Sequence, residues 1–137
     1  MSMEGPKKNS LEESDFLKQL KDLDKKIERT IKLGDKINSI LKNEGLFMER
    51  RVHRSVALFY NLIEELFLIW LENDEVAHIL EMQEILVGLD KSMIKVVGFY
   101  KHNQNATSNL IQREIKPLLE NLREIIQKHI ALGRAQK

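Results

Sequence analysis

The first third of the chain carries apolar or small residues at alternating intervals of four and three positions. An α-helix completes a turn every 3.6 residues, so this spacing is typical of one side of a helix that packs against other helices. It predicts a helix over residues 11–43, with Ser10 as N-cap and Glu13 completing a capping box. Because Gly34 falls on this stripe, we expect a neighbour to approach its backbone closely. The stripe comprises Phe16, Leu20, Leu23, Ile27, Thr30, Gly34, Ile37 and Leu41.

Three further stretches repeat this helical periodicity, and none alternates apolar and polar residues as a strand does. They predict helices over about residues 47–72, 75–101 and 109–132, with Asn73 or Asp74 as an N-cap and Gly133 as the last stop. Residues 102–108 are the predicted loop, and Pro117 either kinks the last helix near Arg113 or marks a late start. The three stripes comprise Val52, Val56, Phe59, Ile63, Leu66 and Trp70; Ile79, Met82, Leu86, Leu89, Met93, Val96 and Tyr100; and Ile111, Ile115, Leu118, Leu122, Ile125 and Leu132.

Four helices with short connections predict an all-α protein. The simplest arrangement is an up-down-up-down antiparallel four-helix bundle with a long, coiled-coil-like first helix. A three-helix or extended coiled-coil arrangement closed by a second chain is the alternative. A length of 137 residues fits one domain, and we expect a helical domain over residues 11–133. Residues 1–10 are expected to form a flexible tail and residues 134–137 a short one, and no segment predicts a signal peptide or a membrane span.

The composition excludes several classes of function. The 22 basic and 21 acidic side chains leave a net charge of +1, so bulk charge does not favour nucleic acid. The chain has no cysteine, which excludes a disulfide scaffold, a cysteine-ligated metal and thiol catalysis. A cysteine-free chain fits a reducing compartment, and we expect a cytoplasmic location.

Candidate catalytic and metal-binding patterns are sparse. A carboxylate-bridged metal pair in a bundle needs two Glu-x-x-His motifs, and the chain has one, from Glu75 to His78. The spacing of Arg123 and His129 matches a loose pattern of helical ribonucleases, but chance predicts about 0.6 such matches in a chain of this composition. We therefore expect no cofactor, no metal site and no enzymatic activity.

The second and third predicted helices carry more apolar surface than a lone bundle can bury, because a bundle helix needs an apolar arc of only about 100°. The third helix has a second line of apolar residues, spaced seven apart, on the side away from its core stripe; this line is Leu80, Val87 and Ile94, called the outer stripe below. On the second helix the apolar arc extends to Leu58, Leu68 and Ile69. Either another part of the chain covers these residues, or a partner does.

Three arginines stand at the start of the second predicted helix, where the positive end of the helix dipole disfavours cations. Helix-dipole compensation therefore does not account for Arg50, Arg51 and Arg54, and they are candidates for contact with an anion or an acidic partner.

These features predict a non-catalytic helical protein–protein interaction module, such as an adaptor, an assembly chaperone or a regulatory subunit. We expect it to self-associate, as a homodimer, through the apolar surface of the second and third helices. The alternative is a nucleic-acid-associated helical subunit that uses the basic end of the bundle.

Overall fold

A computed structural model describes residues 15–43 and 49–135, and every element in these two ranges is helical. The all-α prediction is confirmed, and four long helical stretches account for most of the described chain. The elements are α1 (Asp15–Asn43), α2 (Glu49–Glu72), the single-turn α3 (Asp74–Ala77), α4 (Glu81–Phe99), α5 (Gln104–Asn109), a π-helical segment π1 (Leu110–Ile115), and α6 (Lys116–Ala135).

The stripe predicted for α1 is its buried side, since every member is buried except Phe16, which is half-buried beside the fully packed Leu17. The close approach expected at Gly34 is confirmed. A Cβ atom at this position would lie 3.3 Å from Ile111 Cγ2 and 3.3 Å from the ring atoms Cε1 and Cζ of Phe59. The predicted capping residues Ser10 and Glu13 lie outside the described residues.

The core stripes of α2 and α4 are also buried as predicted, with Trp70 and Tyr100 half-buried at their ends. The continuous helix predicted over residues 75–101 is wrong, because the chain turns at residues 78–80. Asn73 Oδ1 accepts the backbone N–H of Val76 at 2.9 Å and so caps α3. The N–H of Ile79 then donates to the carbonyl of Val76, three residues back rather than four. This tighter turn lets both Val76 and Ile79 reach the core.

The loop predicted over residues 102–108 is also wrong, because the last helical stretch begins at Gln104. The side chain of Asn103 accepts the N–H of Ala106 at 2.9 Å, which satisfies a donor that the first helical turn leaves free. Thr107 and Ser108 are buried. The Thr107 hydroxyl donates to the Asn103 carbonyl at 2.9 Å, within its own turn, and the Ser108 hydroxyl donates to Asn38 of α1, so both buried hydroxyls have a partner.

Pro117 lies in the first turn of α6, which begins at Lys116 directly after the π segment, and the helical stretch that begins at Gln104 runs through it. The N–H of Lys116 donates to the carbonyl of Ile111, five residues back, and α6 continues through Pro117 to Ala135, past the stop predicted at Gly133. After this π turn, Leu122 is buried as predicted, whereas Leu119 and Ile126 are buried where Leu118 and Ile125 were expected. The prediction that Leu132 faces inward is wrong, since it is 49% exposed. The buried residues of this stretch are Leu110, Ile111, Ile115, Leu119, Leu122, Ile126 and Ile130.

Charged side chains join α1 to its two neighbours, α2 and α6. Lys26 pairs with Glu65 of α2 at 3.0 Å. On the other side, Arg123 of α6 donates to Asp24 at 3.0 Å and to Glu28 at 2.7 Å. Lys116 contacts Asp35 at 3.0 Å, so later positions of α6 pair with earlier positions of α1.

Candidate protein-binding surface

The outer stripe of α4 is exposed. The exposed fractions are 72% for Leu80, 42% for Val87 and 63% for Ile94. Leu80 is the residue directly before α4, and its backbone angles are already helical, with φ −62° and ψ −29°. Seven residues correspond to about 700° of rotation, so the three side chains lie within about 40° of one another around the helix axis. The core stripe lies on the opposite side of α4, since Met82, Leu86 and Leu89 are fully buried. No part of the described chain covers the outer stripe.

The apolar residues singled out on α2 divide into two groups. Leu58 and Leu68 are 51% and 50% exposed. Ile69 is half-buried and packs against the core cluster, so the chain itself covers much of it. Tyr60 and Leu71, which the sequence did not single out, are 38% and 60% exposed.

An apolar groove separates α2 from α4. Its volume is about 380 Å³, and Ile94 of the outer stripe forms part of its wall. The sequence did not indicate this groove, because its depth depends on how far apart two helices lie. The lining residues are His53, Val56, Ala57, Tyr60, Ile94, Val97 and Tyr100.

Polar atoms stand only at the margins of this groove. A ring nitrogen of His53, Nδ1, hydrogen-bonds the Tyr100 hydroxyl, and the two ring centroids are 5.9 Å apart. The Lys101 ammonium lies 5.8 Å from the Tyr100 ring centroid. The carboxylate of Glu64 raises the pKa of Tyr60 above its usual value, and partial desolvation adds to the effect. Both disfavour the negatively charged form of the Tyr60 hydroxyl. The groove therefore suits an apolar side chain rather than an ion.

The charges on α4 change sign along the helix. Glu81 and Glu84 lie in its first turn, and Lys91 and Lys95 lie in its second half. Lys95 approaches Glu114 at 3.8 Å, whereas neither Glu84 nor Lys91 forms an ion pair with any residue in the ranges 15–43 and 49–135. The outer stripe is thus flanked by an acidic group before Val87 and a basic group after it.

The three arginines at the start of α2 are exposed, as an anion or acidic-partner contact requires. They stand on the helix that forms one wall of the groove.

The residues of the loose ribonuclease pattern do not face a common site. The Arg123 guanidinium is held between Asp24 and Glu28 on α1, whereas the His129 ring nitrogen Nε2 points toward α4, 3.9 Å from Glu81 Oε1. Within the described ranges, no three His, Asp or Glu side chains come together as a metal site. His78 is exposed, and the Glu75 side chain of the Glu-x-x-His motif lies outside what the structure describes.

No helix among the described residues is long and apolar enough to cross a membrane. The chain matches no protein-family model, no curated protein and no solved structure.

Proposed function

We propose that this chain is a non-catalytic helical interaction module that binds protein through the exposed face formed by the outer stripe of α4 and the groove beside it. An adaptor, an assembly chaperone or a regulatory subunit would work in this way, and self-association as a homodimer is the form of binding that can be tested directly. The cytoplasmic location expected from the sequence belongs to the same proposal.

We also propose the up-down-up-down antiparallel bundle as the scaffold. Pairings between neighbouring helices support it, because positions that rise along one helix fall along the next. Lys26 pairs with Glu65, whereas Gly34, later in α1, lies against Phe59, earlier in α2. Near the start of α2, His53 contacts Tyr100, which directly follows α4. Glu81 at the start of α4 lies 3.9 Å from His129, whereas Ser92, later in α4, donates to Glu114, earlier in the last helical stretch, at 3.2 Å.

The observation that carries the functional proposal is the exposure of the outer stripe. Fully burying a Leu, Ile or Val side chain is worth about 1.5–3 kcal/mol. With the exposed fractions of Leu80, Val87 and Ile94, covering the stripe would contribute about 3–5 kcal/mol per chain. Association itself costs roughly 4–15 kcal/mol. Two such stripes would contribute about 6–10 kcal/mol, which leaves at most about 6 kcal/mol after the lowest of these costs. The stripes therefore support weak binding, at best in the range of tens of micromolar, and burial in the groove would add to it.

The nucleic-acid alternative depends on the exposed arginines at the start of α2. It requires binding that weakens steeply as salt rises, because lysine and arginine displace counterions from phosphates. The near-neutral charge of the chain gives it no further support. Retention on single- or double-stranded DNA or RNA at low salt, lost on reversing Arg50, Arg51 and Arg54 to Glu, would favour this alternative instead.

The test is the molar mass in solution, measured by light scattering at roughly 10–500 μM chain. We expect a dimer that the substitution Val87→Asp converts to a monomer, because a buried unpaired carboxylate would be desolvated in the interface. The matched control is Leu132→Asp on α6, a position that is 49% exposed and outside the proposed face. Far-ultraviolet circular dichroism should give the same helical signal for all three proteins.

A wild-type chain that remains a monomer across this range would refute self-association. Loss of the helical signal in Val87→Asp, but not in Leu132→Asp, would show that Val87 supports the fold rather than an interface.

A further inference from the structure

We propose that the occupant of this face is a second copy of the chain, packed so that α4 lies against α4 in the opposite direction, with a two-fold axis at Val87. The inference rests on the proposed function and names the partner and its orientation. Three features of α4 lead to it: the symmetry of the outer stripe, the flanking charges and the groove.

The outer stripe is symmetric about its central residue. Leu80 lies seven residues before Val87 and Ile94 lies seven residues after it. When two copies of α4 run in opposite directions about Val87, Leu80 of each copy faces Ile94 of the other. A two-fold interface requires this kind of self-complementarity, in which each patch is its own partner. A parallel pairing would also bring apolar residues together, so the stripe alone does not select the direction.

The flanking charges favour the antiparallel direction. Glu84 precedes Val87 by three residues and Lys91 follows it by four, and on the helix the two lie about 20° apart, on the same side of the stripe. In the antiparallel pair, Glu84 of each copy lies beside Lys91 of the other. In a parallel pair the two-fold axis runs along the helices and puts this flank of the second copy on the opposite side of the interface, so Glu84 of one copy could not reach Lys91 of the other. Both side chains are exposed and have no ion pair within the described chain, so they are available for this contact.

The groove supplies a receptor for the most exposed side chain of the stripe. Because Ile94 lines the groove between α2 and α4, a Leu80 that faces Ile94 of the second copy lies at the mouth of that copy's groove. Ala57, Tyr60 and Val97 would then surround its methyl groups. Each copy thus offers one projecting side chain and one apolar receptor, and no residue in the described ranges covers Leu80 or occupies the groove.

Single cysteines test the orientation directly, since the chain contains none of its own. Under mild copper–phenanthroline oxidation, Val87→Cys should form a disulfide-linked dimer, because the two Val87 positions meet at the axis. Leu80→Cys alone and Ile94→Cys alone should not, because fourteen residues of helix separate like positions by about 21 Å, far beyond disulfide reach. An equimolar mixture of Leu80→Cys and Ile94→Cys should cross-link. Leu132→Cys is the exposed control, and we expect it to remain uncross-linked.

Charge reversal tests the polar contact. Glu84→Lys and Lys91→Glu should each raise the dimer dissociation constant by about tenfold, because each changes two symmetric contacts into repulsions. The double variant Glu84→Lys/Lys91→Glu should return to within about threefold of the wild type. Sedimentation equilibrium gives the constants, and raising the salt concentration should reduce the difference between the single variants and the wild type.

The results separate this inference from the functional proposal. A wild-type dimer that Val87→Asp dissociates, but in which Leu80→Cys and Ile94→Cys each cross-link to themselves, would overturn the antiparallel orientation and leave the binding face in place. The same applies if the double charge reversal is no better than the single ones. A wild-type chain that stays a monomer by light scattering would overturn the second copy as the occupant.

Discussion

The close contact over Gly34 predicts that two glycine-to-alanine substitutions in this chain have opposite effects on stability. Gly34 lies in α1 and Gly98 in α4, and each replacement gains about 1 kcal/mol of helix propensity. Gly98 is the penultimate residue of α4, and a new Cβ there meets no atom within 4 Å, so a gain of up to about 1 kcal/mol should appear without a packing cost. At Gly34 the Cβ would lie 3.3 Å from one methyl carbon and from two ring carbons.

Carbon atoms pack best at about 3.5–4.0 Å, so the three contacts at Gly34 are all too short. Overpacking a core by one methylene costs about 1–3 kcal/mol. After the propensity gain, we expect Gly34→Ala to range from neutral to about 2 kcal/mol destabilising, whereas Gly98→Ala stabilises by up to about 1 kcal/mol. Phe59 supplies two of the short contacts, so a smaller side chain there should relieve part of the cost.

The free energy of unfolding is measured by urea titration with circular dichroism. All variants carry Val87→Asp, so that dimer formation does not add to the result. A double-mutant cycle of Gly34→Ala with Phe59→Leu should show a favourable coupling of about 0.5 kcal/mol or more. If Gly34→Ala stabilises the protein as much as Gly98→Ala, the close approach of Phe59 and Ile111 is not what requires glycine at this position.

Two further predictions concern the cap of α5 and the acidic side of α1. Asn103→Ala should destabilise the protein by about 1 kcal/mol because it removes the acceptor for the Ala106 N–H, whereas Asn105→Ala, an exposed change in the same turn, should have little effect. The hydrogen bond and the charge of Lys32, together with Arg123, lower the pKa of Glu28, so its contribution to stability is present above the ordinary carboxyl pKa and is lost as the pH falls through the lowered value. The urea midpoint of Glu28→Gln should therefore fall below that of the wild type at pH 7 and approach it near pH 3; an equal difference at both values would contradict the charge interaction.

The outer stripe of α4 could be inferred from the sequence, whereas the groove beside it could not. Leu80, Val87 and Ile94 lie opposite the core stripe of their own helix, and their exposure follows from the phase of a single helix. Tyr60, Ala57 and Val97 are on the flanks of α2 and α4, where exposure depends on the distance between the two helices. The half-burial of Ile69 could not be inferred from the sequence either, because it depends on the core residues that pack against this side chain.

The sequence by itself determined the helical class, the buried sides of α1, α2 and α4, and the close approach at Gly34. Each of these features follows from the periodicity of apolar residues within a single helix, which can be seen in the sequence. Only the tertiary structure decided the turn at residues 78–80, the start of the last helical stretch at Gln104 and the π turn before Pro117. In the first two cases, burial of Val76, Ile79 and Thr107 in a shared core outweighed the helix and loop boundaries that the residue pattern predicted. In the third, the Lys116 N–H donates to the carbonyl of Ile111 five residues back, and the spacing of side chains along the sequence does not reveal such a change in backbone bonding.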